Sequence, residues 1–387
     1  MRDLITQAAL REPPRASGMS AQGSPRAGIN GREPSARSAL FFATASYRIA
    51  AIQSHSQQPE APISAPILIT GVAGFIGHAV AAALLSNGRE VIGLDNLNAY
   101  YDPALKQARL ARLREHEKFA FHRLDLTDEP GMQALFGAHE FRQVVHLAAQ
   151  AGVRYSIEAP GQYLSSNIAG LTVLLECCVR HGARHLLYAS SSSVYGDTEQ
   201  TPFSENDAAD RPRNVYAATK RAGELLAYAY ARIHGLPSTG MRYFTVYGPW
   251  GRPDMAAMAF AKDLLAGRPL KVFGDGRQRR AFTYIGDVVR GTLAVLERGA
   301  PVRQPPTALY NLGSDQEVEL LEFIRMLAGE MGRGCKVEFR PEPPGEMRAT
   351  LPGMWAMRRD FGFAPQVGLK DGLSQFVRWH REYYGWE

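Results

Sequence analysis

The chain has 387 residues, of which 45% are hydrophobic and 21% are charged, and its formal net charge at pH 7 is +6. This composition is typical of a soluble globular protein, and the length leaves room for two or three domains. The positive charge forms no stripe interleaved with aromatic residues, so no nucleic-acid partner is expected. The cysteines Cys177, Cys178 and Cys335 have no metal-ligand spacing. We therefore expect no metal site and a reducing, cytoplasmic location.

Residues 1–63 differ from the rest and are predicted to be a disordered tail, because they are rich in Arg, Ser, Ala, Pro and Gly and show no sustained period. An apolar run at 39–47 is interrupted by Arg48 and is too short to span a bilayer, so no membrane partner is expected. Residues 1–60 contain seven Arg, no Lys and four acidic residues. This composition fits either a transit peptide or a start codon placed too early, and the acidic residues favour the second interpretation.

After this tail, predicted strands alternate with predicted helices. The strands are predicted at 66–70, 90–95, 119–124, 143–147, 185–189 and 238–243. The helices are predicted at 79–85, 105–114, 132–136, 163–179 and 216–234. This alternation predicts an α/β fold with a doubly wound parallel sheet of the Rossmann type, over residues 64–245.

Beyond Tyr243 the pattern becomes irregular, and Gly and Pro residues separate short elements. We expect residues 246–387 to form a smaller C-terminal substrate-binding lobe, interleaved with the first domain. In an open α/β sheet the ligand lies beyond the carboxyl ends of the strands. The polar motifs described next all fall at such ends.

A glycine loop, Gly71-x-x-Gly74-x-x-Gly77, follows the first predicted strand and opens a helix. Glycines at these places allow a tight turn and a close approach of a pyrophosphate to the helix N-terminus. Asp95 ends the second strand, where a carboxylate accepts hydrogen bonds from ribose hydroxyls and repels a 2′-phosphate. Asn96, and not an arginine, follows it. The loop therefore predicts a dinucleotide site that prefers NAD over NADP.

Tyr216 and Lys220 lie one turn apart on a predicted helix, so both side chains share one face. An ammonium beside a phenol stabilises the phenolate and lowers its pKa, which makes the tyrosine a base nearer neutral pH. A serine run, 190–193, follows a buried strand and offers a hydroxyl that exchanges protons with that phenolate. With the dinucleotide, these groups predict hydride transfer at a carbon that bears a hydroxyl.

These residues resemble the extended short-chain dehydrogenase/reductase superfamily, and within it the NAD-dependent nucleotide-sugar epimerases, most nearly the UDP-glucuronate 4-epimerases. The stretches that carry the resemblance are 93–102, 146–156, 190–196, 216–220 and 242–255. The resemblance runs from about Ile67 to the end of the chain. It is most specific in Arg242–Met255, where related 4-epimerases usually carry Asn in place of Thr245.

The resemblance implies a role for each of three groups of residues. In catalysis, Tyr216 is the base, Lys220 supports it and holds the nicotinamide ribose, and Ser191 shuttles protons. The implied cofactor-binding residues are Gly71, Gly74, Phe75, Ile76, Gly77, Asp95, Asn96, Asp125, Leu126, Leu147, Ala148, Ala149, Asn167, Tyr216 and Lys220. The implied substrate-binding residues are Arg154, Ser192, Ser193, Thr245, Arg252, Phe273, Arg280 and Glu346.

The implied reaction is oxidation of a UDP-sugar at C4 by NAD, followed by return of the hydride to the opposite face. A glucuronate oxidised at C4 is a β-keto acid, which loses CO₂ when its carboxylate rotates freely. A guanidinium suits the clamp that this carboxylate needs, and Arg252 with Thr245 is the best candidate. A 4,6-dehydratase would need an acid/base pair at Ser192 and Ser193, and serines do not perform that elimination.

The chain departs from the family pattern in two places. The family's Arg-Asp-Phe-Thr-Tyr-Ile-Asp-Asp reads here as 280–287 with Ala281 and Gly286, so two carboxylates are lost. Arg280, implied to contact the diphosphate, is retained. Near the C-terminus a Gly-Asp pair and a later Ala-Asp pair are replaced by Gly345-Glu346 and Pro352-Gly353. These changes predict weaker uridine binding.

Several functions remain open at this point. The first is 4-epimerisation of UDP-glucuronate to UDP-galacturonate, with surface polysaccharide as the expected destination. A UDP-glucuronate decarboxylase, another UDP-hexose 4-epimerase and a catalytically silent nucleotide-sugar-binding protein are the alternatives. Superfamily members commonly pair through two helices of each subunit, which implies a homodimer joined by 163–179 and 216–234.

Overall fold

The computed structural model describes residues 65–387, apart from residues 199, 343–346 and 348. The predicted disordered tail, residues 1–63, lies outside the described residues. Pro62–Glu387 forms a single compact unit.

The strands of the described chain are, in order, β1 Ile67–Thr70, β2 Val91–Asp95, β3 Phe119–Arg123, β4 Gln143–His146, β5 His185–Ser191, β6 Ser238–Tyr243, β7 Thr245–Tyr247, β8 Leu270–Phe273, β9 Arg279–Arg280, β10 Phe282–Tyr284, β11 Thr307–Leu312, β12 Val318–Glu319, β13 Val337–Arg340 and β14 Ala349–Thr350. The six strands predicted before residue 245 all occur, with ends that differ by at most two residues.

The helices are α1 Phe75–Ser86, α2 Pro103–Leu113, α3 Glu129–Ala138, α4 Tyr155–Glu158, α5 Pro160–Leu164, α6 Gly170–Arg180, α7 Val215–His234, α8 Ala256–Leu265, α9 Ile285–Arg298, α10 Leu320–Glu330, α11 Trp355–Phe361 and α12 Leu369–Tyr384. A π-helical segment, Ser165–Ala169, joins α5 to α6, and a 3-10 turn, Ser192–Tyr195, follows β5.

Seven parallel strands form the central sheet in the order β11-β6-β5-β4-β1-β2-β3. The chain builds outward from β1 to β3 on one side and then crosses back to β4 on the other. This arrangement confirms the predicted doubly wound α/β fold. The direction of winding changes between β1 and β4, and such a switch point opens a crevice at the carboxyl ends of the strands.

Helices cover both faces of this sheet because the strands carry apolar side chains on both faces. On one face, Val80 of α1 and Val295 of α9 belong to a cluster of buried side chains that also includes Ile69 of β1. On the other face, Leu174 of α6 and Ala227 of α7 pack with strand residues in a second cluster. Each fully buried aliphatic side chain contributes about 1.5–3 kcal/mol to folding.

The segment after residue 246 contributes to two places in the fold. A third cluster joins α8, α10 and α12 through Phe260, Phe323 and Phe376, and the small sheets β13-β8 and β12-β9-β14 lie in the same part of the chain. However, β11 pairs with β6 in the central sheet, and α9 packs against α1. The chain beyond residue 246 therefore contributes to the third cluster and also supplies the edge strand of the central sheet.

Local signals explain where the site-bearing helices begin and end. The side chain of Asn214 accepts a hydrogen bond from the backbone N–H of Ala217 and caps α7, which ends at Gly235 in the left-handed conformation. The helix predicted at 163–179 is instead α5, the π-helical segment and α6 in succession. Such π-helical insertions are frequent at functional sites. Here the insertion includes Asn167.

Candidate active site

A cleft of about 820 Å³ lies at the carboxyl ends of the central strands. Most of the predicted site residues line it, although they come from distant parts of the chain. The predicted residues among its walls are Gly71, Gly74, Phe75, Ile76, Gly77, Asp95, Asn96, Asp125, Leu126, Leu147, Ala148, Ala149, Arg154, Ser191, Ser192, Ser193, Tyr216, Lys220, Thr245, Arg252, Phe273 and Arg280.

Two of the predicted residues are exceptions. Asn167 is buried beneath the wall, and the cleft lining does not include it. Its side chain accepts from the Gln150 N–H and donates to the Gln150 carbonyl and the Thr219 hydroxyl. Asn167 therefore supports the wall and does not itself face the cleft. Glu346 lies outside the described residues.

The glycine loop brings the backbone close to the cleft. Gly71 has φ +72°, and a Cβ on it would stand 2.6 Å from the backbone nitrogen of Ala148. A Cβ on Gly77 would stand 2.1 Å from the Gly71 carbonyl oxygen. Only glycine fits either position. The N-terminus of α1 begins at Gly74 with no side-chain cap and no acidic residue in its first turn. Its N–H groups and positive dipole end suit a pyrophosphate, so this loop fits a dinucleotide.

Asp95 closes β2 at the far end of this loop and is almost fully buried. Its carboxylate accepts from the N–H of Ala73 at 3.2 Å and from the N–H of Leu97 at 2.8 Å. Burial raises the pKa of Asp95, while Lys106 and these two backbone N–H groups act in the opposite direction. The carboxylate thus ties the glycine loop to the end of β2, at the place expected to receive ribose hydroxyls.

Lys106 is a contact that sequence reasoning missed, because it lies on the following helix, α2. Its Nζ is 4.0 Å from Asp95 and donates to the backbone and side-chain oxygens of Asn98, each at 2.9 Å. Nearby, Asn96 donates to Asp125 at 2.6 Å. A cation therefore stands beside the ribose-binding carboxylate even though Asn96 is the residue that follows it in sequence.

Tyr216 and Lys220 share one face of α7 and are directed into the cleft, as predicted. The ammonium of Lys220 donates to the Ala189 carbonyl at 2.9 Å. Burial lowers the pKa of Lys220 to about 8, and the carboxylate of Glu224 opposes that change. Lys220 is therefore anchored to β5, and its lowered pKa lies close to neutral pH.

The electrostatics of Tyr216 differ from the sequence-based expectation. Burial raises the pKa of its phenol, and a hydrogen-bonding interaction with Ser191 and the guanidinium of Arg252 both act to lower it. The nearby carboxylate of Asp254 raises it further. The cation that acts to lower the pKa of Tyr216 is Arg252, on a loop distant in sequence, whereas Lys220 donates to the Ala189 carbonyl. Spacing along one helix could not reveal this influence.

The serine run follows β5 and turns into the 3-10 segment. The hydroxyl of Ser191 lies 3.2 Å from the hydroxyl of Ser193 and accepts from the Ser193 N–H, also at 3.2 Å. Ser190 instead donates to Glu224 at 2.5 Å. All four serines contribute to the cleft lining, and the hydroxyl of Ser190 is held by Glu224.

Glu224 is a second residue that sequence reasoning missed. It lies one helical turn after Lys220 and accepts two hydrogen bonds from Arg242 at 2.8 and 2.9 Å. These bonds and the Ser190 hydroxyl oppose burial and hold the pKa of Glu224 below its usual value. The buried ion pair, with Ser190, joins β5, β6 and α7 behind the serine run. Its only sequence signal is a Glu at helical spacing after Lys220.

On the opposite wall, Thr245 begins β7 and Arg252 lies on the loop that follows it. The guanidinium of Arg252 donates to Asp254 through Nε at 3.0 Å and Nη2 at 2.6 Å. Tyr100 donates to the same carboxylate at 3.1 Å. Arg252 thus presents its remaining donors to the cleft from a fixed orientation. Sequence reasoning quoted Asp254 and Tyr100 within the motif but gave neither a role.

Arg154, Phe273 and Arg280 all line the cleft. The guanidinium of Arg154 stands 4.0 Å from the centre of the Phe273 ring, a cation–π contact. Arg280 is carried by β9, which pairs with β14. A stacked planar cation, an aromatic face and a second arginine form a surface that suits a nucleoside diphosphate.

The two departures near Arg280 fall at positions that the structure packs tightly. Ala281 is fully buried, and its N–H donates to the Thr350 carbonyl at 3.0 Å. Gly286 begins α9, and a Cβ there would stand 3.0 Å from the Tyr284 ring. Asp287, the retained carboxylate, accepts from the N–H groups of residues 366 and 367 and has a structural role.

The chain is similar to known proteins of one family. Residues 67–313 match the model of the NAD dependent epimerase/dehydratase family. UDP-glucuronate 4-epimerase 4 of Arabidopsis thaliana is 44% identical over 331 residues, which are 82% of this chain and 76% of that protein.

Solved structures of similar proteins share the fold. UDP-glucuronic acid 4-epimerase from Bacillus cereus, in complex with UDP-glucuronic acid and NAD, has a TM-score of 0.77 and 34% identity, over 82% of this chain and 100% of that one. UDP-glucose 4-epimerase from Thermotoga maritima, with UDP-glucose, has a TM-score of 0.75 and 29% identity, over 82% of this chain and 99% of that one. The chain belongs to the NAD dependent epimerase/dehydratase family.

Proposed function

We propose that this chain catalyses the NAD-dependent 4-epimerisation of UDP-glucuronate to UDP-galacturonate. The observation that carries the proposal is that Arg252 and Tyr216 line the same cleft, with the Arg252 guanidinium held by two hydrogen bonds to Asp254. This supports a clamp for the sugar carboxylate in the cleft that also contains the base. The glycine loop, the serine run and the Arg154–Arg280 surface provide for the cofactor, the sugar and the diphosphate.

The residues of the chain divide the chemistry among them. NAD, when bound, would supply the acceptor for the C4 hydride and the donor that restores it on the other face of the sugar. Tyr216 removes the proton of the C4 hydroxyl in the first half of the reaction and gives it back in the second. Ser191 interacts with that phenol and provides the hydroxyl through which the proton passes. Lys220, which donates to the Ala189 carbonyl, would hold the nicotinamide ribose beside the base.

The 4-keto intermediate sets the requirement on the opposite wall. It is a β-keto acid, and loss of CO₂ requires its carboxylate to rotate out of plane. Arg252, with Thr245 beside it, limits this rotation through charge-assisted hydrogen bonds. Asp254 and Tyr100 hold the guanidinium in place. This arrangement favours epimerisation over the decarboxylation that the same intermediate allows.

Product analysis of the purified protein tests this proposal. NAD-loaded enzyme incubated with UDP-glucuronate should give UDP-galacturonate, with little UDP-pentose. Exclusive formation of UDP-pentose would identify a decarboxylase. Turnover of UDP-glucose alone would restrict the assignment to another UDP-hexose 4-epimerase, and no product would favour a silent binding protein.

We also propose a homodimer, joined by α7 and by the α5–α6 stretch. Large apolar side chains are exposed on these helices: Leu164 is 56% exposed, Leu225 55% and Tyr228 51%. Exposed large apolar side chains on two helices that pack together support an interface between protein chains on this face. Light scattering at micromolar concentration should give twice the chain mass of 42.5 kDa, and a monomer would refute the proposal.

The free cysteines suit the reducing cytoplasm, where we place the enzyme, with surface polysaccharide as the destination of its product. Among the described helices, none combines the length and apolar character needed to cross a bilayer. Separation of cell extracts into soluble and membrane fractions, followed by detection of the protein, tests the location.

A further inference from the structure

Arg109 of α2 is a fully buried charged residue. The proposed reaction gives it no role. Its guanidinium makes four hydrogen bonds, and all four acceptors are neutral oxygens. Nη1 donates to the Ala73 carbonyl at 2.9 Å and to the Tyr101 hydroxyl at 2.8 Å. Nη2 donates to the Trp250 carbonyl at 2.6 Å and to the Gly251 carbonyl at 3.2 Å.

These acceptors belong to two loops of different function. Ala73 is part of the glycine loop, and its N–H donates to Asp95. Trp250 and Gly251 directly precede Arg252, the proposed carboxylate clamp. One planar guanidinium therefore bridges the dinucleotide loop and the loop that carries the clamp. A guanidinium has enough donors in a fixed plane to satisfy both loops at once, whereas an ammonium does not hold that geometry.

The loop at Trp250 requires such support. Trp250 has φ +65°, a left-handed conformation that is unfavourable for a residue with a bulky side chain. Its ring packs against His78 of α1 and against Trp379 and Tyr383 of α12, with centroid distances of 5.7, 5.3 and 5.0 Å. The Trp250 ring is thus packed between α1 and α12, and Arg109 bonds to the Trp250 backbone carbonyl. These contacts stabilise the strained turn.

A buried guanidinium with only neutral acceptors is not expected to stabilise the fold more than apolar side chains of similar volume would. The four hydrogen bonds of Arg109 instead fix the positions of the groups that accept them. We propose that Arg109 is a positioning residue that fixes the Arg252 loop against the glycine loop and thereby sets recognition of the sugar carboxylate. This inference rests on the proposed function, since it takes Arg252 as the clamp.

The test compares two ligands that differ in the sugar acid. Dissociation constants of UDP-glucuronate and of UDP are measured by calorimetry on NAD-loaded wild type and on Arg109→Lys. We expect Arg109→Lys to raise the dissociation constant of UDP-glucuronate by tenfold or more and that of UDP by less than threefold. The variant should also release more CO₂ per turnover than wild type. Equal weakening of both ligands, or no change in either, would overturn the proposal, because a merely structural role does not distinguish them.

Two further variants keep the test decisive. Tyr101→Phe removes one partner of Arg109 and retains the ring, so we expect the same selective effect at about threefold. If Arg109→Lys does not fold, the Tyr101→Phe variant provides the test. A Tyr101→Phe protein that binds both ligands with wild-type affinities would count against the proposal. The matched control is Arg114→Lys, also in the α2 region, whose guanidinium stands over the Phe121 ring. It should bind both ligands as wild type does.

Failure of the proposed function would look different. In that case wild-type enzyme itself would show no preference for UDP-glucuronate over UDP-glucose and would make no UDP-galacturonate. If only Arg109→Lys and Tyr101→Phe lose the preference for UDP-glucuronate over UDP, the proposed function stands. If these variants keep the wild-type preference, only the positioning role of Arg109 is refuted.

Discussion

The two walls of the cleft differ in composition: one is formed mainly by backbone groups and the other mainly by side chains. The dinucleotide wall consists of backbone: a glycine loop, the uncapped N-terminus of α1 and the ends of parallel strands. The opposite wall consists of charged and aromatic side chains, with Arg252 held by Asp254 and by a strained turn at Trp250. A backbone site recognises a feature that all dinucleotides share, whereas a side-chain site is adapted to one sugar. The comparison indicates that substrate choice depends mainly on contacts between distant segments.

Removal of the base, which both walls serve, should have the largest effect. Tyr216→Phe deletes the group that accepts the C4 proton, so we expect turnover to fall by about three orders of magnitude or more while UDP-sugar binding persists. Steady-state rates with UDP-glucuronate measure this. Tyr230→Phe is the matched control, because its hydroxyl bonds to Glu176 on the neighbouring helix. A Tyr216→Phe enzyme with a tenth of the wild-type rate would exclude this tyrosine as the base.

The next effect concerns the side-chain wall. Arg252→Ala should weaken UDP-glucuronate binding by about 2–4 kcal/mol, since a charged bidentate pair is lost and Asp254 is left unpaired. The freed 4-keto acid should also release CO₂ and yield UDP-pentose, which mass analysis of the products detects.

Arg268→Ala is the control for this change, because Arg268 also donates two hydrogen bonds to a nearby carboxylate, both to one oxygen of Asp263, and is more exposed. An Arg252→Ala enzyme that makes only UDP-galacturonate with unchanged affinity would show that another residue holds the carboxylate, with Arg154 the next candidate.

The backbone wall is tested by adding one methyl group. Gly71→Ala would place a Cβ 2.6 Å from the Ala148 nitrogen, so the loop must shift, and we expect NAD to bind at least tenfold more weakly, about 1.4 kcal/mol. Gly182 has nearly the same φ, +70°, but nothing lies within 4 Å of its Cβ position.

Gly182→Ala thus isolates the strain of the left-handed conformation, about 1–2 kcal/mol of stability, from the close approach at Gly71. Calorimetric titration of NAD into both variants separates the two effects. Equal NAD affinity in the two would contradict a backbone-built dinucleotide site.

The smallest expected effect is on pH dependence. Burial lowers the pKa of His78, which supports the Trp250 turn, and of His146, beneath the dinucleotide wall, from 6.5 to about 3 in each case. Below pH 6.5 the unfolded chain binds protons that the folded chain does not. The stability that each neutral histidine provides is complete above pH 6.5 and declines as the pH falls towards 3, by less than about 1.4 kcal/mol per pH unit for each group.

Urea unfolding at pH 7.5, 6.5 and 5.5 measures this decline. His78→Phe keeps a ring against Trp250 and removes the titrating group, so its unfolding free energy should fall less steeply with decreasing pH than that of wild type. An identical midpoint at pH 7.5 and 5.5 in the wild-type protein would refute the assignment of buried neutral histidines.

The dinucleotide half of the fold was largely predictable from sequence. Strand and helix periods, the spacing of Gly71, Gly74 and Gly77, and Asp95 at a strand end are local signals, and the sheet and cleft follow from them. The path of the chain after residue 246 was not predictable in detail, because its strands are short and pair with distant partners. The return of β11 to the central sheet has no local signal.

The sequence alone determined the fold class and the family, and it predicted a site at Tyr216, Lys220 and Ser191, because periodicity, glycine spacing and one helical turn are encoded within short segments. Only the tertiary structure decided that Arg252 and not Lys220 opposes the raised pKa of Tyr216, that Glu224 is buried behind the serine run, and that Arg109 joins two loops. The physical reason is that charges act through space. Their energies depend on distance and burial, and both are fixed only when distant segments of the chain pack together.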